Sequence, residues 1–471
     1  MSAVSRPPSN VSKTPNGLIR QLTNTQMIAL AIAGIGPFYS IFVVYGSIAQ
    51  AVGTGILWLF LGAGIVAVAN GLVFSHLSRY YPLAGGGYAL VRQILGPAVG
   101  AMYVILSILN WVLVVAAFTG PAATFINTLH PIMSPTFLQI LLILIMVLLS
   151  VGNVRLSGVV SVVFLILELC FTAFWIVLGF THLQLPWSTV MERPRSLSAH
   201  AIGQPIGILA FVSAIPLAIY SLAGYESSIH YTEEMLNFKK IVTTVTVSAV
   251  GAALLYMIAM PLVLLTDHHF GLVMNATIPG ESAMIHAVHG IAPLFLIYLA
   301  ISSFNGGLVS YQEASRMLMN AANDGNFGIW LKHILGRVTQ RGVPWVATLI
   351  WFVPTVMVVQ IANLSTILSF TGVTIMVTYI IVAIAAIWFK VKTSRQLEQH
   401  GGAFWAFPLV PLFVIAASIV VIILQPKSYI AISAGILVAG ALIGWAAFKR
   451  FRFTSTEELI QNSLRAQGEV Q

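Results

Sequence analysis

Long apolar runs alternate with short polar segments along almost the whole chain, and each run approaches the roughly 20 residues needed to cross a bilayer. About twelve can be traced, at residues 26–49, 55–77, 93–129, 136–153, 157–181, 206–232, 241–265, 283–322, 344–360, 363–391, 405–425 and 429–449. The third and eighth are long enough to tilt or to extend past the membrane. Two runs are broken midway by small or helix-breaking residues: Ala33-Gly34-Ile35-Gly36-Pro37 in the first, and Ser221-Leu222-Ala223-Gly224-Tyr225-Glu226 in the sixth. Lipid cannot hydrogen-bond an unwound backbone, so such breaks are tolerated only where they line a cavity or are covered by protein. Broken spans in corresponding positions of two halves point to a transporter's binding site near the membrane midplane.

Composition agrees with this pattern: 58% of residues are hydrophobic and 7% are charged, and the mean hydropathy is +0.93. Those values exclude a soluble domain. The net charge of +9 raises the question of nucleic acid, and the placement of the 22 Lys and Arg residues answers it. Only Arg193, Arg195 and Lys427 fall in loops on one side of the membrane; all the others, Arg79, Arg92, Lys239 and Lys240 among them, fall on the opposite side. That asymmetry places both termini in the cytoplasm and makes the basic balance a topology signal, with no nucleic-acid partner implied. The first two dozen residues are polar, carry Pro7, Pro8 and Pro15, and read as a disordered tail with no cleaved signal. The single cysteine, Cys170, leaves no internal disulfide and no CxxC site and reads as a small buried apolar residue.

Motifs of soluble enzymes are absent: there is no phosphate-cradling GxxxxGK[ST], no dinucleotide GxGxxG in strand-turn-helix context and no GxSxG. Enzymatic activity and a bound cofactor are therefore not expected. His286 and His289 share a helix face, but only Glu281 stands near them, so a metal site is not expected either. His268 and His269 read as solvated loop residues.

Acidic residues are more informative, because a carboxylate at membrane depth is costly. Of the 13, only Glu168, Glu226 and Glu313 fall inside the predicted spans. Glu226 directly follows the break at Gly224-Tyr225, where it can accept hydrogen bonds from N–H groups freed at a helix start. Glu168 stands among aliphatic residues at mid-span and is either a proton carrier or a neutral acid bonded to a neighbouring helix. Glu313 lies three residues before Arg316, which predicts an ion pair within one helix.

Several spaced motifs then agree in order. Leu77-Ser78-Arg79-Tyr80-Tyr81-Pro82-Leu83-Ala84-Gly85-Gly86-Gly87-Tyr88 is followed by Gly96-Pro97, by Gly224-Tyr225-Glu226 with Thr232-Glu233-Glu234, by Ala314-Ser315-Arg316 and Asn323-Asp324-Gly325, and by Arg341-Gly342-Val343-Pro344. In these the chain resembles amino acid permeases of the amino acid, polyamine and organocation transporter superfamily, over essentially residues 18–450. The resemblance implies an all-α integral membrane fold built as a five-plus-five inverted repeat, with broken first and sixth helices and two extra C-terminal helices. The corresponding divisions are a tail at 1–24, a first repeat at 25–182, an extracellular loop at 183–203, a second repeat at 204–392, spans 11 and 12 at 393–450, and a tail at 451–471.

It also implies a site. The half-helix after Pro37 would present N–H groups to a carboxylate through Gly34, Ile35, Gly36 and the residues just after them, Pro37, Phe38 and Tyr39. Tyr220, Ser221, Leu222, Ala223 and Gly224 would receive the ammonium and side chain, and Asn305, with Ser302 and Ser303, offers polar contacts from the eighth span. Glu226, Glu233, Glu234 and Arg316 are the structural or gating candidates. Three departures stand out. The usual glycine-serine-glycine run before Ile41-Phe42 is replaced by Phe38-Tyr39-Ser40; Leu236-Asn237 follows the paired glutamates where a proline is usual; and Glu168 occupies the position where proton-linked relatives often carry a lysine. The expected activity is alternating-access transport of a neutral or apolar amino acid across the cytoplasmic membrane, coupled to protons or to a counter-substrate. A polyamine or amino alcohol is the alternative, since those solutes lack the carboxylate whose usual binding run is altered here. A channel or receptor is disfavoured, because the polar residues cluster at the midplane breaks and form no continuous path.

Overall fold

The computed structural model describes residues 18, 20, 22–81, 83, 85–131, 133–152, 154–198, 201–266, 280, 282, 290, 292–325, 327–339, 343–360, 364–397 and 408–450. Most of both expected tails, Arg341-Gly342, and His268, His269, Glu281, His286 and His289 lie outside them. The described chain is helical with only two isolated β-bridges, Leu22 to Met235 and Arg195 to Pro205. Among the described residues eight helical stretches are long and apolar enough to cross a membrane, and the first, Asn24–Tyr80, is interrupted at Gly53–Gly55 and holds both of the first two spans. Shorter apolar helices at Pro135–Val151, Trp345–Val359 and Leu409–Ile423 fill the remaining places in the twelve-run pattern. The protein is an all-α, multi-pass membrane protein.

Burial follows the logic of a lipid solvent. Ile65, Val177, Ile423 and Leu442 are exposed, while Asn70, Thr119, Ser302, Ser303, Asn305 and Thr371 are fully buried. Hydrocarbon accepts the apolar side chains, and polar groups turn inward to find partners. Cys170 follows the same rule and faces outward, where the sequence reading had it buried. The third span, Pro97–Leu129, packs along the eighth, Ala292–Asn323, and the last helix, Lys427–Arg450, packs along the third.

Local chemistry sets the two breaks. The first helix, Asn24–Ile35, opens on a reciprocal cap in which the Thr23 side chain accepts from the Gln26 N–H at 3.3 Å and the Thr23 N–H donates to Gln26 Oε1 at 2.9 Å. Such a cap contributes about 1 kcal/mol. The helix stops at Gly36, whose left-handed φ of 59° lets its N–H close back on Ile32 and Ala33. Pro37, which has no N–H to lose, starts the second half over residues 37–52, with a π-helical stretch at Ser40–Val44. In the sixth span, helix Ile215–Leu222 ends at Ala223 and Gly224, and the chain continues as a 3-10 helix over Tyr225–Glu234.

Candidate functional site

The two breaks cross backbone to backbone. Gly224 has φ 118°, and a Cβ placed there would lie 2.5 Å from the Ile35 nitrogen and 2.6 Å from the Gly34 carbonyl carbon. Only glycine admits that approach. Gly34 faces Ser227 just as tightly, since a Cβ on it would lie 2.5 Å from the Ser227 hydroxyl.

Beside this crossing lies a partly open cavity of about 80 Å³. One stripe of the third span runs along it, from Tyr103 through Ser107, Asn110, Trp111 and Val114 to Phe118. Fifteen residues of helix rise make that wall about 22 Å long. At one end Phe118 is wedged against Gly36 and Gly306 and meets the Tyr39 ring at 4.5 Å, with Tyr220 also in the lining. At the other end the cavity reaches Phe74, Gly87 and Met317. Two carboxylates face it, Glu226 and Glu313, together with Ser227 and His230; among the described residues neither lysine nor arginine lines it. Glu226 Oε2 accepts from the Gly224 N–H at 3.1 Å, as expected for a carboxylate following a helix break. Glu313 Oε1 is buried with no hydrogen-bond partner among the described residues.

Of the residues expected to touch solute, Gly34, Tyr220, Ala223 and Gly224 line this cavity. Ile35, Gly36, Pro37, Phe38, Tyr39, Ser221, Leu222 and Asn305 do not. Phe38 turns into an aromatic cluster with Phe42, Phe171 and Phe295, its ring 4.7 to 5.5 Å from theirs. The Ser221 hydroxyl donates to Leu217 O at 3.1 Å, and Asn305 Nδ2 donates to Ser161 O at 3.3 Å, which binds the eighth span to the fifth. The N–H groups expected to meet an anion are used within the protein. Phe38 N donates to Glu168 Oε1 at 2.9 Å and Tyr39 N to Ser302 Oγ at 2.9 Å, and Ser302 Oγ donates to Glu168 Oε1 at 2.5 Å. Glu168, 1% exposed, thus bridges the first, fifth and eighth spans.

Arg316 pairs with a different partner from the one expected. Its Nε and Nη2 donate to Glu234 at 2.6 and 3.3 Å, and its guanidinium lies 4.2 Å from the centre of the Tyr231 ring. The fork of the guanidinium matches a carboxylate presented across the helix interface. Glu313 remains facing the cavity. Nearby, Arg92 lies 3.7 Å from Asp324, whose Oδ2 also accepts from Tyr88 at 2.8 Å. Burial raises the Asp324 carboxyl above its ordinary range, against the opposing pull of Arg92 and Tyr88. Glu233 is buried in the same region.

Glu313, His230, Ser227 and the third-span stripe are cavity residues that the sequence reading did not assign. Glu313 carried a signal, the cost of a carboxylate at membrane depth. His230 stands four residues after Glu226, but in a 3-10 segment that spacing defines no common face.

Residues 21–448 match the family described as amino acid permease. A search of curated proteins finds no match.

Proposed function

The chain belongs to the amino acid permease family, and on that premise we propose that it is a secondary active carrier with alternating access around the cavity at the crossed breaks. Membership makes it a transporter of amino acids or related organocations. The observation that carries the reading is the cavity itself: it lies against both unwound segments, and its charged lining among the described residues is Glu226 and Glu313, without a lysine or arginine. An ammonium group entering there meets two carboxylates and the backbone carbonyls at the breaks, which is the chemistry that recognises an amino-bearing solute.

In this reading spans 1 to 5 and 6 to 10 form two inverted repeats, and spans 11 and 12 are additions. The lysine and arginine distribution supports cytoplasmic termini in the cytoplasmic membrane. The aromatic layer of Tyr39, Phe118 and Tyr220 then closes the outer side, and the cavity runs inward toward Gly87. Arg316, Glu234 and Tyr231 form the opposing gate. Transport is driven by protons or by exchange against a second solute. Glu168 is the coupling candidate, because a proton on it would weaken its hold on Phe38 N and loosen the first span from the fifth and eighth.

The test is uptake into proteoliposomes of a panel of radiolabelled amino acids and amines, with and without an inward proton gradient, for the wild type, Glu313→Gln and Glu168→Gln. Saturable uptake of an amino-bearing solute, weakened by Glu313→Gln, is expected, and its response to the gradient is expected to fade in Glu168→Gln. No uptake or exchange of any panel member would end the carrier reading. Full gradient response in Glu168→Gln would end the coupling role.

A further inference from the structure

We propose that Glu168 is a resident carboxylate that fills the place of a solute's own, so that the cargo of this carrier is an amine without a carboxylate. The inference rests on the carrier reading and narrows its substrate class.

It follows from where the backbone donors go. A helix start leaves its first N–H groups without intrahelical partners, and a broken span would offer them to a bound anion. At the start of the half-helix over residues 37–52 none is left to offer. Pro37 has no N–H, Phe38 N donates to Glu168 Oε1, Tyr39 N to Ser302 Oγ, and Ser40 N to Gly36 O at 2.9 Å. The buried Glu168 side chain brings to the positive end of that half-helix the same group that an amino acid would bring, and Ser302 completes its contacts. The sixth-span break is used in the same way: Ala223 N donates to Ile219 O at 2.8 Å and Gly224 N to Glu226 Oε2.

What faces the cavity accordingly offers an anion only neutral donors, among them Ser107, Asn110 and Trp111, and no cation among the described residues. Among the described residues Glu313 Oε1 is buried and without a partner, Glu226 lies beside it in the lining, and no lysine or arginine lines the cavity. A zwitterion would bring a third carboxylate to this lining with no cation among the described lining residues to receive it and with the N–H groups of Phe38, Tyr39, Ser40, Ala223 and Gly224 already engaged, at a large desolvation cost. A solute ending in an ammonium group alone would supply the missing positive charge.

The experiment compares matched pairs that differ only by the carboxylate, leucine with isopentylamine, phenylalanine with 2-phenylethylamine and lysine with cadaverine, as competitors and as labelled solutes in proteoliposomes of the full chain. Wild type is expected to prefer the amine of at least one pair by about tenfold or more. Glu168→Ala, which bares Phe38 N, is expected to shift that preference toward the amino acid by a similar factor. Glu168→Gln, which keeps an acceptor on Phe38 N, is expected to retain it. Wild-type uptake of amino acids equal to or better than that of their amines overturns the inference while leaving the carrier reading standing; uptake of neither member of any pair overturns both. An unchanged preference in a well-folded Glu168→Ala also overturns it. Should that variant fail to fold, Ser302→Ala, which bares Tyr39 N, is read against the same two outcomes.

Discussion

At the scale of single residues, two buried contacts have a measurable cost, one at the crossing of the breaks and one between the eighth span and the end of the sixth. Gly224 combines a left-handed φ with backbone contact to Gly34 and Ile35, so Gly224→Ala meets strain and a collision that no rotamer relieves. The expected loss is on the order of 3 kcal/mol or more, seen as a lowered melting temperature in detergent and poor recovery. Gly251, in the seventh span, has nothing within 4 Å of a placed Cβ, and Gly251→Ala should leave stability unchanged or raise it by about 0.5–1 kcal/mol. Arg316 is the second case. Arg316→Ala strands Glu234 in a buried site and is expected to cost about 3–5 kcal/mol, whereas the paired change Arg316→Met with Glu234→Met should cost clearly less than the two single changes combined. A paired cost equal to the sum of the two single costs would show that the residues are energetically independent. The sequence held both members of this pair but not their pairing. Spacing along one helix pointed Arg316 at Glu313, and only the packing of the eighth span on the end of the sixth brings Glu234 to it.

At the scale of elements, the broken spans were legible because glycine and proline at the midpoint of an apolar run weaken a helix at the depth where lipid demands an unbroken one. The direction of their side chains was not legible. Phe38 and Tyr39 lie one residue apart, yet Phe38 packs against Phe171 and Phe295 while Tyr39 meets Phe118, a division set by the neighbouring helices. The third-span stripe was hidden for a related reason: Tyr103, Ser107 and Asn110 sit in a helix apolar all round, whose pattern announces burial without naming the face that meets a cavity. Cysteine labelling reads the element geometry directly. In a Cys170→Ser background, Ser227→Cys and Thr378→Cys, on the cavity lining, are expected to react with a membrane-impermeant thiol reagent, and Phe38→Cys to stay protected. Rapid modification of Phe38→Cys would mean that the aromatic cluster opens to water.

At the scale of the whole molecule, the all-α, multi-pass class was readable because hydrocarbon thickness fixes the length of each apolar run. The matching of helices to one another was not, since the long-range packing of the third span on the eighth leaves no periodicity in either. An even number of crossings puts both ends of the chain on one face, and protease added to that face alone should remove tags from both. Removal of only one tag would mean that a run does not cross. One contact joins these scales. Leu22 receives and returns main-chain hydrogen bonds on either side of Met235, donating to Glu234 O at 3.0 Å and accepting from Leu236 N at 2.9 Å. The residue that lends its carbonyl to this stitch is the one whose side chain grips Arg316. The approach to the first broken helix and the end of the second are therefore yoked, so that a pull on the chain ahead of Leu22 would bear directly on the residue that holds Arg316.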